Sequence, residues 1–424
     1  MNKSVFSFLD EDKVQIIREQ FGTPVFVYDQ RSLQNQAQAA LNFPSAFGVT
    51  VRYAMKACPN AGVVRLINRM GVHVDASSGW EVHRALKAGV KPDEIMITAQ
   101  QLPDDFEQLV SLGVRFNACS LHQLASFGHR FPGSEVGVRF NPGLGSGHSN
   151  RTNVGGPSSS FGIWHDLLGQ VEALQREHDL RITLLHTHIG SGSDPEVWQR
   201  CARLTLNIAT SLPEVTTVSL GGGYKIARIE GETSTDLAVA GKPVVDEFRR
   251  FANENNRELH LEIEPGTFFV ANAGVIVCSV VDVVNTGKEG YSFIKTDSGM
   301  TEILRPSMYG AQHPISVVPA NDAHSRGSKE YLVVGHCCES GDILTPESNN
   351  PEGLQTRTLT EAHIGDAVVI GGSGAYCASM ATKNYNSFPE APEVLLDENG
   401  DLHLLRQRQT LDQVIANEAI PKFL

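Results

Sequence analysis

The chain is poor in the features that would place it in the easily read classes. It has seven cysteines, an odd number, and no Cys-x-x-Cys pair, so neither a zinc ribbon nor a disulfide framework is expected. It has no Lys/Arg-rich run, and acids outnumber bases, 48 to 35, for a formal net charge of −13. That balance argues against nucleic acid and anionic membranes as partners. The start, "MNKSVFSFLDEDKVQ", lacks the apolar segment of a secretory signal. The most apolar later run, "GVIVCSVVDVV", is interrupted by Asp282 and is too short to span a bilayer. Internal repeats and low-complexity tails are also missing. A cytoplasmic, reduced protein is the expectation.

What is present is enough hydrophobic residue, 41%, for a large core, and a length that suits two domains or one barrel with an addition. From about residue 50, short apolar runs alternate with helix-like segments. The candidate strands are "VRYAMKA", "VHVDASS", "IMITAQ", "VRFNACS", "VGVRFN", "TLLHTHIG", "TVSLGGG" and "LHLEIEPG". Between them, "AGVVRLINRMG", "GWEVHRALKAG" and "DDFEQLVSLG" have helical apolar spacing and end in glycine, a common helix terminator. Eight such alternations are what a (β/α)8 barrel needs, and their regularity favours it over a doubly wound open sheet. After Ala271 the texture changes to strands and turns with few helices, an all-β domain. The expected division is 1–35 as an N-terminal segment joining the β domain, 36–275 as the barrel and 276–424 as the C-terminal β domain. A Gly/Ser/Asn-rich piece, "NPGLGSGHSNRTNVGGPSSSFG", reads as a long loop that is functional or disordered.

In a barrel, chemistry belongs at the C-terminal ends of the strands. Lys56 follows the apolar "VRYAM" and is expected to be partly desolvated, a state that favours a nucleophilic amine. A surface lysine is the plainer reading. "SLGGGYK" sets Gly221, Gly222 and Gly223 after a strand and before an expected helix, a possible phosphate cradle. It is neither a P-loop nor GxGxxG. "HTHIGSGS" puts His186 and His188 on one face of a strand, suited to a metal with Glu264, to stacking on a flat ring, or to ordinary burial. Ser191 and Ser193 could add phosphate contacts. Glu262 and Glu264 share a face of "HLEIEPG". A carboxylate at the strand tip could pair with a protonated heteroaromatic nitrogen and keep that ring an electron sink. Lysine, phosphate cradle, histidine and acid at successive strand ends together describe pyridoxal phosphate binding. In the β region, a thiol of Cys337-Cys338 beside carboxylates is a candidate proton donor, or a plain buried pair.

These motifs together resemble the fold-type III pyridoxal phosphate decarboxylases, and within them the branch acting on meso-diaminopimelate. "YAMKA" resembles the family's Schiff-base lysine motif; "HIGSG", "GGG" and "EPG" its cofactor motifs; "RPSMYG", "CESGD" and "GAYCASM…NYNS" its substrate and dimer motifs. The resemblance spans nearly the whole chain. It implies an alanine racemase-like (β/α)8 barrel plus a β domain, pyridoxal 5'-phosphate as cofactor, no metal, and a homodimer with shared active sites acting on a small amino acid. It implies that Lys56 carries the cofactor, that His188 stacks on its ring, and that Ser191, Gly221, Gly222 and Gly223 hold its phosphate. Glu264 would pair with the ring nitrogen, and Tyr376 would reach cofactor and substrate. Cys338 and Glu339 would come from the partner subunit, Cys338 as proton donor. Arg305, Tyr309 and Glu339 would grip the far end of the substrate.

Two departures stand out. The family's EPGR is "EPGT" here, so Thr267 replaces an arginine that holds the distal carboxylate, and threonine offers no charge and no fork. The family's NYNSRP is "NYNSFP", so Phe388 replaces another arginine. The distal pocket is expected to be less cationic than the family pattern. Decarboxylation of meso-diaminopimelate at its D-configured carbon is the leading expectation, and decarboxylation of D-lysine or D-ornithine to a diamine is the alternative. An amino-acid racemase, a metal-dependent barrel hydrolase and a non-catalytic cofactor carrier are the rival classes.

Overall fold

The structure, a computed structural model, describes residues 4–6, 8–145, 155–190, 192–320 and 326–424. The middle of the Gly/Ser/Asn-rich piece, residues 146–154, therefore lies outside the described residues, as does Ser191. The chain divides into two compact units, one of residues 34–227 and 233–269, the other of 1–33, 228–232 and 270–424.

The first unit is the barrel. Its strands are β1 (Val49–Ala54), β2 (His73–Ala76), β3 (Ile95–Ile97), β4 (Arg115–Ala118), β5 (Glu135–Asn141), β6 (Arg181–Thr187), β7 (Thr217–Ser219) and β8 (His260–Ile263). Each pairs in parallel with the next, and β8 pairs with β1, so the sheet closes on itself. All eight candidate strands of the sequence are present. Local chemistry explains the intervening helices. Helix Ala61–Arg69 is capped by Asn60, whose side chain accepts from the Gly62 N–H, and it turns Val63, Val64 and Ile67 inward. Helix Gly79–Lys87 is capped by Ser78 Oγ, while Glu81 reaches back to the Ser77 N–H at 2.7 Å. Gly71, Gly89 and Gly113 follow their helices at φ +96°, +90° and +101°, a conformation that costs side-chain-bearing residues more.

The barrel interior is polar where strand neighbours meet. The register sets Arg52 beside His73, Ala54 beside Asp75, Arg139 beside His186, His186 beside Ser219 and Ser219 beside Glu262. Two levels of charge result, one around Arg52 and Glu262, the other nearer the strand ends around Asp75, His186 and Glu264.

The second unit is a sheet built on the 12-residue strand Gly274–Asn285. That strand pairs antiparallel with Val25–Asp29, Ser292–Thr296 and Ala367–Ile370. Its core gathers Val25, Val27, Val275, Val277, Val369 and Val394, β-branched residues suited to a pleated surface. No helix among the described residues is long and apolar enough to cross a membrane.

Candidate active site

Glu262, the lower acid of "HLEIEPG", is explained by the barrel. It receives Arg52 Nη2 at 2.9 Å and Arg52 Nε at 3.0 Å, a bidentate pair, with Arg115 Nη1 at 3.4 Å. Both partners of the main pair are buried. Burial pushes the Glu262 carboxyl up, but Arg52 more than reverses this and leaves it below its ordinary value. Glu262 is a structural anion.

Glu264, two residues on, has no such partner. Its Oε1 accepts from the Ser219 hydroxyl at 2.8 Å, and its Oε2 lies 3.4 Å from His186 Nε2. His186 Nδ1 is 2.7 Å from Asn117 Nδ2. With that amide donating, the remaining ring proton sits on Nε2, toward Glu264. Burial, then the field of Arg139, holds His186 well below its ordinary pKa, so the imidazole is neutral. Burial, and then nearby Asp75, pushes Glu264 up to about 8. Asp75 is itself raised by burial, against the pull of Lys56. Two buried acids at the strand ends are thus short of positive charge. His186 Nε2, Asp75 Oδ1, Asn117 Oδ1 and Arg139 Nη2 are buried there without hydrogen-bond partners.

Lys56 follows β1 in the short turn Met55–Ala57. Met55 and Ala57 are buried and Lys56 is exposed, which corrects the expectation of a partly desolvated amine. The turn directs its two neighbours into the core and the lysine away from it. Its charge still acts on Asp75, His186 and His188.

His188 lies one residue beyond β6, and not on the strand face expected. Its Nδ1 accepts from the Gly222 N–H at 3.2 Å, which fixes the ring against the glycine turn. A side chain at Gly222 would collide with the Glu264 carbonyl, and one at Gly221 (φ +69°) would strike the His188 ring. The glycines are therefore required for close approach. No helix follows them, contrary to expectation: the next helix is Leu237–Asn255, capped by Asp236. The intervening Gly, Ser and Thr, with the Lys225 N–H bonded to Thr235 Oγ1 at 2.8 Å, favour a loop. Any cradle here uses backbone groups of the turn, not a helix end. Among the described residues no group of three or more His, Cys, Asp or Glu is placed to hold a metal ion.

The β unit holds the remaining candidates. Cys337 is half-buried, and burial and then Asp342 push its thiol up to about 12, which disfavours the thiolate. Cys338 is exposed, and its N–H donates to Asn386 Oδ1 at 2.8 Å. Glu339 Oε1 accepts from the Gly341 N–H at 3.0 Å. Tyr309 Oη lies 3.9 Å from Met380 Sδ, and Arg305 opens the short helix Arg305–Tyr309. Tyr376 adopts φ +57°, a conformation unusual for a residue with a side chain. Phe388 stacks on the His336 imidazole with centroids 3.7 Å apart and planes 8° from parallel, so the missing arginine is replaced by packing beside the Cys337-Cys338 loop. Thr267 begins the short helix Thr267–Val270, and nothing in the structure explains its side chain.

The residues fit a cationic aromatic cofactor: unpaired buried acids, a neutral histidine, a side-chain-free glycine turn and an exposed amine at the end of β1. The family model described as "Pyridoxal-dependent decarboxylase, pyridoxal binding domain" matches residues 31–271, more than half of the chain. Diaminopimelate decarboxylase from Escherichia coli (strain K12) is 37% identical, over 95% of this chain and 95% of that one. A crystal structure of diaminopimelate decarboxylase superposes with a TM-score of 0.90 at 35% identity, covering 97% of each chain. The Helicobacter pylori diaminopimelate decarboxylase complexed with L-lysine has a TM-score of 0.83 at 25% identity, covering 95% of this chain and 98% of that one. Fold and site define a pyridoxal-dependent decarboxylase. Within that class, the chain belongs to the diaminopimelate decarboxylase family.

Proposed function

We propose that the protein decarboxylates meso-diaminopimelate at its D-configured α-carbon, giving L-lysine and carbon dioxide. The observation that carries this reading is Glu264, buried at the end of β8, held by the Ser219 hydroxyl at 2.8 Å and without a cationic side chain bonded to it. It accompanies a chain that matches diaminopimelate decarboxylases over nearly its full length. Pyridoxal phosphate, when bound, supplies a sink for the electron pair left as carbon dioxide departs.

The chain's own residues have these parts. Lys56 provides the amine that attaches the cofactor. Glu264 holds a proton on the ring nitrogen, an ion pair that satisfies both buried charges. His188, fixed by Gly222, covers the ring, and Gly221, Gly222 and Gly223 give the phosphate close backbone approach. Tyr376 contacts cofactor and substrate. Arg305, Tyr309 and Glu339 orient the distal end of the substrate. Cys338 delivers the proton to the α-carbon, and the enzyme works as a homodimer in which Cys338 and Glu339 serve the partner's site. The seven free cysteines accord with a reducing, cytoplasmic setting.

The test is a substrate panel of meso-diaminopimelate, D- and L-lysine, and D- and L-ornithine, with carbon dioxide and amine products measured. The expected result is one carbon dioxide and one L-lysine per diaminopimelate. Diamine release from D-lysine or D-ornithine with no diaminopimelate turnover would overturn the substrate. Racemised substrate without carbon dioxide would overturn the reaction.

A further inference from the structure

Two arginines of the β unit have no side-chain carboxylate partner among the described residues; Glu232, whose carboxylate accepts from the Arg228 backbone N–H at 2.7 Å, acts on the Arg228 guanidinium only through its field. Arg228 belongs to the segment 228–232 that clusters with this unit. Its Nε donates to the Gly372 carbonyl at 3.0 Å. Its Cγ and Cδ lie so close to Gly372 (φ +63°) that a side chain there would meet them at 2.8 Å. His313 sits on the preceding carbonyl, with Nδ1 2.9 Å from Gly371 O. The backbone joins Arg305 to the same region, its carbonyl accepting from the Ala311 N–H at 3.4 Å. Arg228 Nη2, Arg305 Nε, Ser307 Oγ and His313 Nε2 are all buried without hydrogen-bond partners. Among the described residues neither guanidinium forms a salt bridge. Burial, and then the field of Arg305, lowers Arg228 to about 9. Burial and both arginines hold His313 well below its ordinary pKa, so it remains neutral.

Two half-buried like charges, each with a buried unpartnered nitrogen, destabilise each other unless an anion joins them. Guanidinium forks match a carboxylate, and the neutral His313 and Ser307 add uncharged polar contacts. The sequence loses the family's arginine at Thr267, so a cation is missing from the place where the distal carboxylate is expected to bind. We propose that Arg228, beside Arg305, is the second cation that binds the distal carboxylate of the substrate and selects a dicarboxylate over D-lysine or D-ornithine. This rests on the diaminopimelate reading above. Arg228 is then a specificity-determining residue, not merely a clamp on the Gly371–Gly372 turn.

L-lysine and cadaverine separate these roles, because only L-lysine retains the carboxylate that was distal in diaminopimelate. Their dissociation constants are measured by calorimetry on the cofactor-loaded wild type, Arg228→Met and Arg228→Lys, with kcat/KM for meso-diaminopimelate alongside. Loss of one charge-assisted contact corresponds to about a 10- to 100-fold change in affinity. Arg228→Met is expected to weaken L-lysine binding and lower kcat/KM by about that factor while cadaverine binding stays within about twofold. Arg228→Lys is expected to recover part of the loss. Equal weakening of both ligands would establish a clamp and overturn the assignment, as would no change in either. If wild-type enzyme turns over D-lysine and not diaminopimelate, the substrate reading itself fails and the carboxylate site with it. Diaminopimelate turnover with an unaffected Arg228→Met variant overturns Arg228 alone.

Discussion

Replacing Glu262 with glutamine should destabilise the barrel severely although the residue takes no part in the proposed chemistry. Glu262 and Arg52 have side chains 2% and 0% exposed and meet at 2.9 Å. The substitution keeps the shape but leaves the Arg52 guanidinium charged and unpaired in the interior. Arg115, 39% exposed and 3.4 Å from Glu262, loses only a partly screened contact. Removing one member of a buried pair typically costs about 3–5 kcal/mol. For a unit of this size each kcal/mol moves the melting temperature by about 2–4 °C. The expected fall is therefore about 6–20 °C, read by circular dichroism on cofactor-saturated protein. Arg52→Met with Glu262→Leu removes both charges and should recover much of the loss. A fall of less than about 2 °C for Glu262→Gln would refute the claim that this pair is a tightly coupled structural element.

Two further outcomes follow from the upper level of the barrel. In cofactor-free protein Glu264 is raised to about 8, so its neutral form favours the fold. That contribution is fully present below the ordinary carboxylate range and is lost as pH rises through about 8. Denaturant midpoints of the cofactor-free protein should fall across that window, and Glu264→Gln should remove that part of the fall; an unaltered pH profile in the variant would contradict the assignment. Gly222→Ala puts a methyl against the Glu264 carbonyl and should sharply lower the cofactor content of purified protein, measured by absorbance after alkaline release. Full cofactor occupancy in that variant would show that the close approach is not needed.

Much of this was legible in the sequence because closed parallel barrels repeat one local pattern. Short apolar runs marked all eight strands, and the glycines closing three of the intervening segments marked helix ends. The acid at position 264 was legible because it sits at a strand end, where barrel chemistry gathers. Four features were not. The role of Glu262 depends on Arg52, 210 residues away and adjacent only because β8 closes onto β1. The helix expected after Gly223 is absent because side chains such as Thr235 bond the loop backbone, a local competition that apolar spacing does not report. Arg228 carries no motif; only the fold lays it on Gly372, 144 residues later. Phe388 read as a lost charge, and its stacking on His336 requires two separate loops to meet.

The central claim is that the polar end of the barrel holds a pyridoxal cofactor attached to Lys56. Borohydride reduction of the purified holoenzyme, followed by peptide mass mapping, tests it most directly. The account predicts visible absorbance that reduction abolishes, with the pyridoxyl mass on the peptide containing Lys56. A colourless protein, or the same mass on a different lysine, would contradict it.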